Sequence, residues 1–233
     1  MLIPINYCAN IKNFTGVIHI GAHNAEELEF YLENKLDEVI WIEANPSMWE
    51  SIENRIKKFP KMKLGKFGAA SKNETSFLNV AGISSSILPL GTAKTRYPGI
   101  DYAGKVKIEL KEYDSWAKDN NIKFENFNFL NIDIQGYELE ALKGMKEQLR
   151  YIDYIYSEIN FEAVYENCVL INELDCFLKG FGFQRVATEK TKYGWGEALY
   201  AKKQCKRIKA RFFMYKLKSF IKLKGKSIAH GCR

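Results

Sequence analysis

The sequence predicts an α/β fold: a mostly parallel sheet covered by helices on both faces, with an antiparallel hairpin at one edge. Three observations carry this. Short apolar runs alternate with helical patterns along most of the chain, as strands joined by helical crossovers do. The runs are mostly apolar, as strands buried on both faces are. The last regular stretch, FQRVATEKTKYGWGEALYAKK, has Gly194 and Gly196 near its turn and reads as a hairpin.

The elements follow in order. GVIHIG (16–21) is a buried-type strand and AEELEFYLEN (25–34) is helical. EVIWIEA (38–44) is a second strand, and Pro46 stands where a first helical turn tolerates it, ahead of SMWESIENRIKKF. Residues 61–71 and 74–82 are extended. Residues 84–104, rich in Ser, Gly and Pro, form an irregular loop of a length that usually serves function or stays disordered. A strand and short helix occupy 106–121. NFNFLNIDIQG (126–136) is a strand ending on Asp133, YELEALKGMKEQL (137–149) a helix, YIDYIYSEIN (151–160) a strand, and 169–183 a helix with glycine punctuation.

Charge divides the chain in two. Residues 202–233 hold twelve Lys or Arg and no acid, which leaves 23 of the 35 basic residues against all 28 acidic ones in the body. The expected organisation is a catalytic-type domain over 1–202 and a basic amphipathic tail over 203–233. In that tail Ile208, Phe212 and Tyr215, and Phe213, Leu217 and Phe220, recur at spacings of three and four. Such a helix suits peripheral contact with an anionic membrane or a partner; self-packing is the other reading, and nucleic acid is the weaker one. No apolar run approaches the roughly 20 residues that span a bilayer. The start lacks a basic region followed by an apolar one. The five cysteines (8, 168, 176, 205, 232) make no CxxC pair. A cytoplasmic chain with reduced thiols is expected, peripheral at the inner membrane surface if the tail binds lipid.

In open α/β sheets, ligands bind beyond the carboxyl ends of the strands. After the first strand stand Gly21, Ala22 and His23, where a glycine permits a turn and close approach of the backbone to a ligand. A plain strand-to-helix turn explains this stretch equally well. The second strand ends in Glu43 and Ala44, within WIEANP; a carboxylate there can accept both hydroxyls of a ribose, or cap the next helix. Glu43 follows Gly21 by 22 residues, about the separation such sheets use. No Gly-x4-Gly-Lys-Ser/Thr loop is present. At the end of LNIDIQGYELEALKG, Asp133 and Glu138 suggest work on a polar substrate or its proton, although N-cap and helix-dipole roles account for both.

VIHIGAHNAEE, WIEANP, GISSSILPL, FLNIDIQGYELEALKG and GWGEALY, in this order, resemble the FkbM family of S-adenosylmethionine-dependent methyltransferases, over about residues 14–202. The resemblance implies a Rossmann-like class I methyltransferase sheet of seven strands. It also implies methyl transfer, commonly to an oxygen of a sugar or related natural product. By position, it puts Gly21, Ala22 and His23 against S-adenosylmethionine, Glu43 with Ala44 at its ribose, Ala69 and Ala70 beside its adenine, and Asp133 where donor and acceptor meet. Two positions depart from the family pattern: His19 replaces an acid and Ala25 a glycine.

A sugar hydroxyl is a weak nucleophile, so a general base is expected to add about 10²–10⁴-fold. Asp133 or Glu138 is the expected base and His23 the runner-up, since imidazole titrates near neutrality. Ser84, Ser85 and Ser86, with Glu158, are the expected acceptor-binding residues, against the reading of the serines as a flexible loop. Tyr97-Pro-Gly and Trp195 could add aromatic surface for a sugar face. No metal is expected: His19 and His23 lie four apart on a strand and its turn, not on a helix face, and a divalent ion held by Asp133 and Glu158 is the lesser alternative. The expected function is O-methylation of a glycan or lipid-linked sugar. The alternatives are a nucleic-acid methyltransferase, which lacks its Asn/Asp-Pro-Pro-Tyr/Phe block here, and a non-catalytic binding module.

Overall fold

The computed structural model describes residues 2–4, 13–96, 100–202, 208, 210–216 and 218. Ten strands are present among them: β1 (Val17–Ile20), β2 (Val39–Ile42), β3 (Lys63–Gly65), β4 (Gly68–Ala69), β5 (Glu74–Val80), β6 (Gly104–Lys111), β7 (Phe129–Ile132), β8 (Tyr154–Asn160), β9 (Phe183–Lys190) and β10 (Trp195–Lys202). The helices are α1 (Leu28–Glu33), α2 (Pro46–Ile56), α3 (Ala93–Arg96), α4 (Tyr113–Asp119), α5 (Glu138–Lys143) and α6 (Ile171–Gly180).

Seven strands form one sheet in the order β3-β2-β1-β7-β8-β10-β9. It is parallel from β3 to β8. β10 enters antiparallel between β8 and β9, so the expected edge hairpin is present. Apolar residues stand at successive positions because each strand serves two cores in turn. Ile18 and Ile20 face a cluster with Ile40, Ile42, Leu130 and Ile132 under α4, α5 and α6. Val17 faces the opposite cluster with Val39, Trp41 and Phe129, under α1 and α2. Helix α2 starts as its sequence suggests, with Pro46 in its first turn and the Asn45 side chain accepting from Ser47 N at 3.1 Å.

Three boundaries differ from the sequence reading. The first helix begins at Leu28, not Ala25, because His23 and Ala25 hold φ of 45° and 54°, values that a right-handed helix excludes. The helix expected over 137–149 stops at Lys143. Gly144 packs so tightly on Ala70 that a Cβ would stand 1.9 Å from the Ala70 carbonyl oxygen, and Asp114 takes the Glu147 and Gln148 amides of the next turn at 2.7 and 3.1 Å. The extended segment 61–71 divides between two sheets: β3 pairs with β2, while β4 joins a second, three-stranded sheet β4-β6-β5. The loop over 84–104 contains the single turn α3 and is pinned at its start by the Asn79 amide, which donates to the carbonyls of Ser86, Ile87 and Leu88.

Most of the basic tail lies outside the described residues. Residues 208 and 210–216 are helical; Ile208 is buried and Phe212 packs against the same core cluster as Trp41 and Leu199. Lys216 pairs with Glu189 of β9. The tail therefore starts docked on the body. Among the described residues, no helix is long and apolar enough to cross a membrane.

Candidate active site

The carboxyl ends of β1, β2 and β7 meet at one cleft. Gly21 leaves β1 at φ 88°, and a Cβ there would stand 1.9 Å from the Asp133 carbonyl oxygen. The glycine is thus demanded first by the packing of one strand-end turn on another, and only then by approach to a ligand. His23 and Ala25 take left-handed backbone without being glycine, so Ala25 holds the turn that the family's glycine would hold at some cost in strain.

Glu43, at the end of β2, is buried and lines the cleft. Its Oε2 accepts from His23 N at 2.7 Å and its Oε1 from Asn45 N at 2.6 Å. Burial raises its pKa, and the two amides partly oppose that rise by stabilising the charge. Around it, Ile42, Ala44, Phe67, Ala69, Leu78 and Ile87 supply apolar walls. The cleft space is about 630 Å³, open solvent at its mouth included. A fixed carboxylate for a diol beside flat apolar walls for a purine fits an adenosyl group.

His19 turns away from the cleft onto the back face. Asn131 donates to the Tyr31 hydroxyl at 2.9 Å, so that hydroxyl donates to His19 Nδ1 at 2.9 Å. The ring stacks on Trp41 with centroids 5.0 Å apart. This is the hydrogen-bonded core histidine, held neutral: burial lowers its pKa despite the nearby charge of Glu27. Below about pH 6.5 the unfolded chain binds a proton at this position that the folded chain resists, so stability should fall on acidification. Thermal melts between pH 5 and 8 should show a shallower slope for His19→Gln than for wild type; equal slopes would reject His19 as the source.

Asp133 leads from the cleft into two further hollows. Among the described residues, it is the one ionisable side chain that lines all three. The second hollow is bounded by Ser84, Gln135, Glu158, Tyr165 and Trp195, and the third by His23, Glu26, Glu27, Tyr156, Glu158 and Glu197. The turn after β7 builds the junction. Gln135 and Gly136 take φ of 56° and 98°, which folds the Gln135 side chain back over the strand end. Its Nε2 donates to Asp133 Oδ1 at 2.6 Å and to Glu158 Oε2 at 3.0 Å, and its Oε1 accepts from the Tyr165 hydroxyl. Ser86 Oγ donates to the Gln135 carbonyl at 2.9 Å, tying the long loop to this turn.

Desolvation raises all three carboxyls here. Glu158 is lifted well above the ordinary range, with the Asp133 charge adding to burial, and Glu138 is pushed up to about 7. Asp133 is crowded by protein on its inner side yet exposed at its tip, so the upward push on it is weaker in water than burial alone suggests.

The structure sorts the expected residues. Gly21, His23, Glu43, Ala44, Ala69 and Asp133 line the cleft. Ala22 and Ala70 do not: Ala22 packs with Leu28 and Tyr31 on the back face, and Ala70 with Leu78 and Ile108 under the small sheet. Glu138 is wholly buried, its Oε1 accepting from Ile134 N at 3.1 Å and Gly136 N at 3.0 Å, so it holds the turn and does not reach a substrate in the hollows. Of the three serines, Ser84 alone borders the second hollow; Ser85 and Ser86 border the cofactor cleft, and the hydroxyl of each is engaged with backbone. His23 Nδ1 lies 2.7 Å from Glu26 Oε1. Tyr97, Pro98 and Gly99 fall outside the described residues. Gln135 and Tyr165 escaped the sequence reading, and the one available signal was the Gln-Gly pair, which marks a turn at a strand end.

A family model for the methyltransferase FkbM domain matches residues 19–185. The chain belongs to that family. Its cofactor is S-adenosylmethionine, and the Glu43 carboxylate with the apolar walls of the cleft fits the adenosyl group of that molecule. A curated relative, the 2-O-methyltransferase NoeI of Sinorhizobium fredii (strain NBRC 101917 / NGR234), is 26% identical over 84 residues, which cover 36% of this chain and 34% of that one. The match thus spans about a third of the relative's length. Among solved structures, TrmK of M. capricolum, in complex with S-adenosyl-homocysteine, is 10% identical with a TM-score of 0.48, covering 83% of this chain and 66% of that one. An S-adenosylmethionine-dependent methyltransferase from Aquifex aeolicus is 14% identical with a TM-score of 0.41, covering 79% and 80%.

Proposed function

We propose that this FkbM methyltransferase methylates a hydroxyl oxygen of a sugar, in a glycan or a lipid-linked saccharide, with Asp133 as general base. The observation that carries the reading is the position of Asp133, shared by the cofactor cleft and the hollow bounded by Trp195, Tyr165, Gln135 and Glu158. S-adenosylmethionine supplies an electrophilic methyl carbon on a sulfonium that departs as a neutral thioether. The protein's part is to hold an acceptor oxygen in line and take its proton as the new C–O bond forms. Orientation of this kind is worth up to roughly 7–11 kcal/mol. The Asp133 carboxylate, its Oδ1 accepting from Gln135, is the proposed acceptor of that proton, and its position at the junction of the hollows supports the role.

Side-chain chemistry supports a polyol acceptor. Aromatic edges with an amide and carboxylates suit a sugar's apolar face and its hydroxyls. Among the described residues, no Lys or Arg lines any of the three hollows, whereas Glu26, Glu27, Glu158 and Glu197 border them. That field repels a phosphodiester, which nucleic-acid sites meet with cations. The name of the NoeI relative agrees with an oxygen acceptor. The test is transfer of a trideuterated methyl group from labelled S-adenosylmethionine into glycan and glycolipid extracts, with RNA in parallel. The label should appear as a base-stable sugar ether in the glycan fractions; incorporation into RNA alone would overturn the reading.

A further inference from the structure

Three carboxylates converge behind the rim of the second hollow. One oxygen from each of Asp133, Glu138 and Glu158 lies within 4.8 Å of the others. Among the described residues, no Lys, Arg or His forms an ion pair with any of them. The donors they do have are neutral: the Gln135 amide for Asp133 and Glu158, and the Ile134 and Gly136 backbone amides for Glu138 Oε1. Glu138 is fully buried, and its second oxygen, Oε2, has no hydrogen-bond partner. An orphaned buried acceptor is costly in itself, and two neighbouring carboxylates make it more so. Among the described residues, the cluster has no cationic side chain paired with it.

We propose that Asp133, Glu138 and Glu158 hold one divalent cation of the hard, oxygen-seeking kind, at the junction of the cofactor cleft and the acceptor hollow. Carboxylate oxygens are the ligands that Mg²⁺, Mn²⁺ and Ca²⁺ take. Two oxygens on opposite sides of Mg²⁺ at about 2.1 Å stand about 4.2 Å apart, and on Ca²⁺ at about 2.4 Å they stand about 4.8 Å apart. Three oxygens spread evenly around Ca²⁺ at about 2.4 Å stand about 4.2 Å apart, so oxygens within 4.8 Å of one another can share one ion once the side chains draw in by a few tenths of an ångström. With three protein ligands, coordination positions remain for an acceptor hydroxyl beside Asp133. An ion there would orient that oxygen and ease loss of its proton. Only this last consequence rests on the methyl-transfer reading; the ion site does not.

The test is calorimetric titration of the full chain, stripped with EDTA, with Mn²⁺, Mg²⁺ and Ca²⁺ in turn, without acceptor. One saturable site is expected for at least one ion, weakened tenfold or more by Glu158→Gln and by Glu138→Gln. Wild-type protein that binds none of the three, or variants that bind them equally well, would overturn the site. Glu158→Gln, at a side chain that borders the second and third hollows, decides the matter if Glu138→Gln does not fold. A parallel titration with S-adenosylmethionine separates the two readings: no cofactor binding would count against methyl transfer while the ion result stood.

Discussion

Asp133→Asn should lower the turnover number by about 10²–10⁴-fold while S-adenosylmethionine affinity stays within a few-fold of wild type. The substitution keeps the size of the side chain and an acceptor oxygen for Gln135, but removes the group able to take a proton. Asp133 occupies the rim shared by all three hollows, so the loss should fall on the chemical step. Single-turnover methyl transfer and cofactor titration on the same preparation make the separation. Weakened cofactor binding with an intact single-turnover rate would make Asp133 a cofactor ligand and sink its role as base. Full activity would do the same.

Most of the framework was legible in the sequence because burial on two faces leaves a simple trace. Val17 and Ile18 feed opposite cores, and the result is a continuous apolar run that cannot be mistaken for a surface strand. Turn geometry left a weaker trace. Ala25 and Gln135 take left-handed backbone that composition assigns to glycine, so the late start of α1 and the fold-back of Gln135 were both hidden. The second sheet was hidden for another reason. Residues 61–71 look like one extended piece, and only the three-dimensional partners, β2 for β3 and β6 for β4, divide it.

Site residues followed the same logic. Glu43 and Asp133 were legible because each ends an apolar strand, and strand ends are where such sheets place ligands. The burial of Glu138, expected as a candidate base, was not legible because an acid opening a helix looks alike whether it faces water or the interior. Its carboxylate turns inward to the amides of Ile134 and Gly136. Gln135 carries no charge and no periodicity, yet it joins Asp133, Glu158 and Tyr165 in one network. Networks of this kind are assembled from β7, β8 and the segment after it, and sequence spacing does not encode their meeting.

Glu43→Ala should weaken S-adenosylmethionine binding by roughly 10²-fold. Hydrogen bonds to a charged group contribute about 1.5–3 kcal/mol each, and each 1.4 kcal/mol is tenfold in affinity. Loss of two ribose contacts therefore reaches that size even with partial rescue by water. The substitution also strips acceptors from His23 N and Asn45 N, which Glu43 holds at 2.7 and 2.6 Å, so the turns after β1 and β2 should loosen together. A pH dependence separates the two effects. Burial raises the Glu43 pKa, so the wild-type carboxylate should take up its proton, and its affinity for the cofactor should fall, at a higher pH than an unperturbed glutamate would. Glu43→Ala has no such group, and its weaker binding should be flat over that interval. A variant that binds as tightly as wild type, or that keeps the wild-type pH profile, would remove Glu43 from the ribose and leave it as a strut between two turns.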